Sequence, residues 1–352
     1  MPAHASFHPL KVAALEPLTD DSVSLTFEVP DELRDAYTWL PGQHLTINCE
    51  DGVRRSYSIC TSPSTGTLKV GIKRLADGAF SGAVLDRLQV GDTLEVMTPA
   101  GRFTPAGSDE PRTYAAIAAG SGITPVLSIV TALLESEPGA AVTLVYANRD
   151  HRSVMFLDEI HDLKDRFLTR FRVVHVLSRE EQEVELLSGR LDADRLHRLL
   201  DRVVPAKEVD EWFLCGPHAM VTELRDELAR AGAETVHTEL FHADPVPRSR
   251  AAEESSGTGE TSRVTVRLDG RSSTFDLAGG GVPVLEAALK VRSDAPFACR
   301  GGVCGTCRAK VVTGTVTMDT NWALEQDEVD RGYVLTCQSH PTSPELVLDY
   351  DA

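Results

Sequence analysis

The sequence predicts a multidomain chain: an antiparallel β-barrel, then an α/β domain on a parallel sheet, then a small cysteine-rich tail domain behind a tether. Three observations carry this reading. Residues 8–107 hold short β-rich runs separated by turn signals, residues 113–240 alternate strand and helix patterns, and residues 243–261 are polar with one Val as the only large apolar side chain.

In the first hundred residues, strands are expected at 23–29, 44–48, 56–60, 67–73 and 93–97, with a helix over 80–88. Pro41-Gly42, Asp51-Gly52, Pro63 and Gly91-Asp92 punctuate them. Short, evenly punctuated strands make a barrel or a sandwich. The next stretch reads as strands at 113–118, 142–146, 172–177, 211–214 and 235–240, with helices at 125–135, 154–166, 192–200 and 218–231. That alternation folds as an open parallel sheet with helices on both faces, and such sheets bind ligands beyond the carboxyl ends of their strands. The stretch 243–261 cannot bury enough apolar surface to order itself. The expected domains are therefore 1–108, 109–242 and 262–352, with 243–261 as linker.

The 352 residues allow two or three domains at roughly 150 residues each. A charged content of 25% and a hydrophobic content of 42% suit a soluble globular chain. The net charge of −18 argues against a nucleic-acid partner, because phosphate binding needs surplus Lys and Arg. Residues 262–352 carry 9 Lys and Arg against 12 Asp and Glu, so most of the acidity lies on the body. Residues 114–134 lack charge, but Gly120, Ser121, Gly122, Thr124 and Pro125 at their centre fit a strand, a turn and a helix start rather than a membrane span. Residues 1–10 show no secretory pattern. Seven cysteines, an odd number, then suggest a reducing compartment, the cytoplasm.

Four of those cysteines lie in the tail as Cys299-x4-Cys304-x2-Cys307 and, after 29 intervening residues, Cys337. This is the plant-type [2Fe–2S] spacing. Three thiolates must wrap a compact two-iron rhomb from one loop, and Gly301, Gly302 and Gly305 permit the close backbone that this needs. A structural zinc site is the competing reading, but such sites more often use C-x2-C pairs, and only Cys304 and Cys307 make one.

Arg55-Ser56-Tyr57-Ser58 closes a predicted strand. The run is compatible with an amphipathic strand. It also suits a flavin: Arg pairs with phosphate, a Tyr face covers a ring, and a Ser hydroxyl reaches a ring nitrogen. Gly78 and Ser81 flank a predicted helix start, a natural pyrophosphate seat. Gly120-Ser-Gly122-Ile-Thr124-Pro125 joins a strand to a helix, with Pro125 where G-x-G-x-x-G has its third Gly. Cys215-Gly216-Pro217 ends the fourth strand of the parallel sheet, while Cys49 and Cys60 read as barrel residues. Arg149 follows the second strand of that sheet and Ser178-Arg179 the third. Arg forks suit a phosphate, which favours NADPH over NADH.

The last 90 or so residues resemble plant-type ferredoxins through the cysteine loop, a helix at 284–290 and Val334-Leu-Thr-Cys337-Gln. Residues 8–241 resemble the ferredoxin–NADP reductase superfamily through R-x-Y-S, the turn before Thr124-Pro125 and Cys215-Gly-Pro. The resemblance implies a β-barrel flavin domain, an α/β parallel-sheet nucleotide-binding domain and an α+β β-grasp ferredoxin domain. It implies that Arg55, Tyr57 and Ser58 hold FAD and that Gly78 and Ser81 cradle its pyrophosphate. Gly120, Gly122 and Thr124 would serve NADPH, with Ser178 and Arg179 at its 2′-phosphate. Ser58, Cys215, Glu239 and Phe241 would surround the reacting ring.

This domain order is that of reductases that feed oxygenases. The whole chain resembles the reductase subunits of ring-1,2-phenylacetyl-CoA epoxidases, through Phe7-His-Pro-Leu10, Pro41-Gly-Gln-His44, Arg54-Arg-Ser-Tyr-Ser-Ile-Cys60 and Val154-Met-Phe-Leu157 among others. The implied route is NADPH to FAD to [2Fe–2S] to a diiron oxygenase complex. A reductase of a Rieske-type monooxygenase, such as a steroid hydroxylase, has the same domain order. A redox-sensing binding module is a third possibility, disfavoured by the complete flavin and nucleotide machinery.

Overall fold

A computed structural model describes residues 6–49, 54–75, 79–108, 110–241, 261–278 and 280–352. They fall into two compact units, one built chiefly on residues 7–241 and the other on residues 261–352.

The first unit begins with six antiparallel strands: β1 (Phe7–Thr19), β2 (Ser22–Glu28), β3 (His44–Asn48), β4 (Arg54–Ser58), β5 (Leu68–Lys73) and β6 (Thr93–Met97). Their order is β4-β3-β6-β1-β2-β5. The outer strands then meet. Ile59, just past β4, bridges Val70 of β5, and the Cys60 N–H donates to the Lys69 carbonyl at 2.9 Å. Closure removes the edges, so the sheet is a barrel. Leu25, Leu45, Ile47, Val70 and Val96 fill its interior. Helix α1 (Ala79–Arg87) follows β5. The long first strand is absent from the sequence expectations. Its register shifts at Val12/Ala14 and again at Pro17/Thr19. Such bulges accommodate a proline and break the alternation that marks a strand.

The parallel sheet contains β7 (Thr113–Ala119), β8 (Ala141–Asn148), β9 (Phe171–Leu177), β10 (Glu211–Gly216) and β11 (Val236–Leu240), in the order β11-β10-β7-β8-β9. All four pairings are parallel. β7 and β10 are near-continuous apolar runs, as expected where helices cover both faces. The helices are α2 (Ile123–Ser136), α3 (Leu157–Arg166), α4 (Ala193–Arg202) and α5 (His218–Arg230). α3 begins three residues later than expected. Met155 and Phe156 are buried, and Phe156 turns left-handed at φ 57°, so the chain reverses before it can coil. The uncharged stretch 114–134 is the β7–turn–α2 unit, and among the described residues no helix is long and apolar enough to cross a membrane.

The second unit is a mixed sheet of β12 (Thr261–Leu268), β13 (Arg271–Ala278), β14 (Arg308–Thr313), β16 (Tyr333–Leu335) and β18 (Glu345–Asp349). The order is β13-β12-β18-β14-β16, with β12 and β18 parallel at the centre. Helix α6 (Val284–Ala288) packs Val284, Ala287 and Ala288 against Val264, Val266 and Leu348, which gives the β-grasp layout. β15 (Val316–Met318) pairs with β17 (Ser339–Pro341), and α7 (Gln326–Asp330) lies between β15 and β16. Thr261, the end of the expected linker, already belongs to β12; residues 243–260 lie outside the described residues.

Candidate functional site

The parallel sheet reverses its strand order between β7 and β10, and ligands bind at such a switch point. The residues there are Gly120–Gly122, which form a single 3₁₀ turn after β7, and Cys215-Gly216-Pro217 after β10. The two loops touch. A β-carbon at Gly122 would lie 2.2 Å from the Cys215 carbonyl oxygen, so only glycine fits. The Thr124 hydroxyl donates to the Ser121 carbonyl at 3.0 Å, and the Tyr146 hydroxyl donates to the Gly120 carbonyl at 2.9 Å. Both bonds shape the turn. Gly216 is wedged between Ala119 and Met220, and Pro217 opens α5 from an exposed position.

Ser58, Cys215 and Glu239 come together at this end of the sheet. Cys215 and Glu239 are register partners on β10 and β11. Ser58, buried at the end of β4, donates its hydroxyl to Glu239 Oε2 at 3.1 Å. Desolvation raises the Glu239 carboxyl to about 8, against the opposing effect of the Ser58 bond. The Cys215 thiol is fully buried and pushed well up, first by burial and then, where Glu239 is ionised, by its carboxylate, so it stays neutral. Phe241, two residues past Glu239, packs partly buried on the core of the parallel-sheet domain.

The remaining flavin candidates are placed as follows. Arg55 is exposed on β4 and donates to its neighbour's carbonyl, Arg54 O, at 2.9 Å. Tyr57 is half-buried with its ring tilted against Phe80 at 5.8 Å. Ser81 is buried in the first turn of α1, where its hydroxyl accepts the Leu75 N–H at 3.1 Å. Gly78 lies outside the described residues.

The three phosphate candidates differ in availability. The Arg149 guanidinium is ion-paired with Asp21 at 2.9 Å. Ser178 and Arg179 continue from β9, tied by backbone bonds to Asn148 and Arg149, and both are exposed. The Arg179 guanidinium has no partner among the described residues. Glu180 beside it is turned away, accepting the backbone and ring N–H groups of His151 at 2.9 and 3.0 Å.

In the second unit, Cys299, Cys304 and Cys307 lie on the loop that follows α6, and Cys337 follows β16. They form two neighbouring pairs, Cys299 with Cys304 and Cys307 with Cys337, in each of which one thiol shifts the ionisation of the other. Cys304 and the backbone N–H groups of Gly301, Val303 and Cys304 hold the Cys299 thiol below its ordinary range. Its contact with Cys299 raises Cys304, and its contact with Cys337 raises Cys307. Among the described residues no group of three or more His, Cys, Asp and Glu converges on a single ion. Two thiol pairs match the donor set of two irons, two sulfurs to each, and fit the [2Fe–2S] group better than one tetrahedral zinc. The backbone takes left-handed turns at Arg300 and Gly302, with φ of 54° and 75°.

Asp21 and Tyr146 escaped the sequence reading, while Thr336 and Gln338 appeared in it only within the run Val334-Leu-Thr-Cys337-Gln, with no role assigned. Thr336 N–H and hydroxyl both donate to the Cys307 carbonyl, at 3.1 and 2.9 Å, which sets Cys307 beside Cys337. Gln338 follows Cys337 directly, and its place in that run was its signal in the sequence.

Three family models match the chain. They are an oxidoreductase FAD-binding domain over residues 9–104, an oxidoreductase NAD-binding domain over 116–226 and a 2Fe-2S iron-sulfur cluster binding domain over 266–342. The chain is 41% identical to the E subunit of the 1,2-phenylacetyl-CoA epoxidase of Escherichia coli strain K12, over 99% of this chain and 98% of that one. It is 37% identical to the ferredoxin reductase component of 3-ketosteroid-9-alpha-monooxygenase of Mycobacterium tuberculosis strain H37Rv, over 97% and 95%. Among solved structures, phthalate dioxygenase reductase matches with a TM-score of 0.59 at 26% identity, covering 97% of this chain and 98% of that one.

Proposed function

The chain belongs to the family of oxygenase reductases that join FAD-binding, NAD-binding and [2Fe–2S] domains in one polypeptide, and we propose that it is the electron-delivering component of a phenylacetyl-CoA 1,2-epoxidase. It is an NAD(P)H oxidoreductase. The observation that carries the finer reading is the identity to the bacterial epoxidase component, which spans the full length. Its acceptor on this reading is a diiron oxygenase, its coenzyme NADPH and its setting the cytoplasm.

Bound FAD and the cluster supply the conversion of a two-electron hydride donor into single electrons. The side chains bind, orient and manage protons. On this reading Tyr57 lies along the flavin ring, while Arg55, Ser81 and Gly78 serve its phosphates. Ser58 and Glu239 form a proton-holding pair beside the reacting face. With its carboxyl raised to about 8, Glu239 carries a proton at neutral pH, and the Ser58 hydroxyl couples it to the ring. Cys215, neutral and buried, walls the site without adding charge. Phe241 shields it from water. Gly120, Gly122 and Thr124 shape the seat for the nicotinamide nucleotide, and Gly216 and Pro217 line its other side. Ser178 and Arg179 take the 2′-phosphate, with Arg149 as a second cation restrained by Asp21. Cys299, Cys304, Cys307 and Cys337 hold the cluster.

The test is reconstitution. The purified chain, NADPH, phenylacetyl-CoA and an epoxidase oxygenase component should give the epoxide; no product with active components would end the reading. The second reading, a reductase for a Rieske-type steroid monooxygenase, is supported by the identity to the mycobacterial component. It predicts turnover with the steroid oxygenase and none with the epoxidase.

A further inference from the structure

The carboxamide of Gln338 ties three parts of the cysteine site together. Its Nε2 donates to the Arg300 carbonyl at 2.8 Å, donates to the Cys337 carbonyl at 3.1 Å and stands 3.8 Å from Cys337 Sγ. Its Oε1 accepts the Thr320 hydroxyl at 2.8 Å. The two carbonyls fix the orientation of the amide, because a flipped carboxamide would set oxygen against oxygen. The backbone is anchored as well: Gln338 N–H donates to Leu335, and its carbonyl accepts from Asp319, both at 2.9 Å.

The place is tight. A β-carbon at Gly302 would lie 3.1 Å from Gln338 Cγ and 3.2 Å from the Thr320 oxygens. Arg300, two residues earlier, holds a left-handed backbone at φ 54°, which is costly for a residue with a side chain. Its carbonyl is the one that Gln338 grips. The side chain therefore lies across a tight part of the loop, and the N–H that it gives to the Cys337 carbonyl is shared with the Cys337 sulfur, 3.8 Å from Nε2.

We propose that Gln338 positions the ligand loop and sets the cluster's reduction potential, through its N–H contact with the Cys337 sulfur and its bond to the Arg300 carbonyl. The physical reason is charge. Reduction adds one electron to a cluster whose negative charge is shared with its thiolates. A donor at sulfur stabilises the reduced form more than the oxidised form and raises the potential. The inference rests on the four cysteines holding a [2Fe–2S] cluster, and goes beyond that reading by naming a residue outside the ligand set.

The experiment is a redox titration of the full-length holoprotein, with the cluster followed by its electron paramagnetic resonance signal and the flavin by absorbance as internal reference. Gln338→Glu keeps the shape, removes the amide donor and adds a charge. Gln338→Met removes the donor, and with it the acceptor of the Thr320 hydroxyl, without adding charge. Both should lower the cluster potential, Glu more, by about tenfold in the one-electron equilibrium, or ~59 mV, with the flavin potential unmoved. A cluster retained at the wild-type potential in both variants overturns the proposal, as does a flavin potential that moves equally. If both variants lose iron, Thr320→Val decides: it leaves Gln338 in place but takes away the bond to its Oε1, so the carboxamide is held only through its Nε2 contacts. It should shift the potential downward by less than Gln338→Glu was expected to, and no shift overturns the proposal. A wild-type protein with no iron-sulfur signal would refute the cluster reading itself, a different failure.

Discussion

The Ser58 hydroxyl donates to the Glu239 carboxylate at 3.1 Å and joins the end of a barrel strand to the last strand of the parallel sheet, 181 residues away. Desolvation raises the Glu239 carboxyl from 4.5 to about 8, so the folded chain binds this proton more tightly than the unfolded chain does. The stability this contributes is complete below pH 4.5 and is lost as pH rises toward 8. Glu239→Gln has no such titration. Urea unfolding should show wild type losing ground to the variant across this window, by at most about 1.4 kcal/mol per pH unit. Parallel pH profiles would exclude the raised carboxyl.

Cys304→Ser removes one proposed cluster ligand, from the first thiol pair. Transfer to one-electron protein acceptors should fall to background and iron content should drop, while flavin reduction by NADPH, followed by stopped-flow absorbance, should keep its rate. Equal loss of flavin reduction in a folded variant would place the cluster outside the expected route.

Arg179 and Arg149 should separate. Arg179 is exposed and unpaired among the described residues, whereas Arg149 is held by Asp21. Arg179→Ala should raise KM for NADPH by roughly 10- to 100-fold, as expected for lost charge-assisted bonds. KM for NADH should barely change. Arg149→Ala should have the smaller effect. Equal changes with both coenzymes would remove Arg179 from the 2′-phosphate.

Two glycines two residues apart should respond differently to alanine. At Gly122 the new methyl would meet the Cys215 carbonyl at 2.2 Å, backbone against backbone, with no flexible atom to yield. At Gly120 nothing lies within 4 Å, and the cost is the left-handed φ of 53° alone, about 1–2 kcal/mol. Thermal unfolding should therefore place Gly122→Ala below Gly120→Ala, with nicotinamide binding lost in the former. The reverse order would contradict the close approach.

Much of this was legible because local chemistry sufficed. The cysteine spacing needs no tertiary information, and the runs at His44–Asn48 and Thr93–Met97 are strands because β-branched and apolar residues sit between strong turn residues. β1 was not legible, since Pro9 and Pro17 read as breakers until the bulges that absorb the second are seen. The start of α3 was misplaced because Val154-Met155-Phe156 looks helical by composition, while burial forces Phe156 to turn. Arg149 reads as a phosphate ligand from its strand end alone, and its partner Asp21 is 128 residues away. The Ser58–Glu239 pair lies at still greater separation, so only the family resemblance could suggest it.

The antiparallel ladder of β14 and β16 pairs Arg308 with Leu335 and Lys310 with Tyr333. Continued by the Thr336 bonds to the Cys307 carbonyl, it brings the second thiol pair into being. A slip of one residue along this ladder would break the Thr336 bonds and carry Cys337, in the turn just past β16, out of register with Cys307. Strand alignment and the presentation of Cys307 and Cys337 are thus coupled. A bound cluster would favour only the alignment that presents these two sulfurs together.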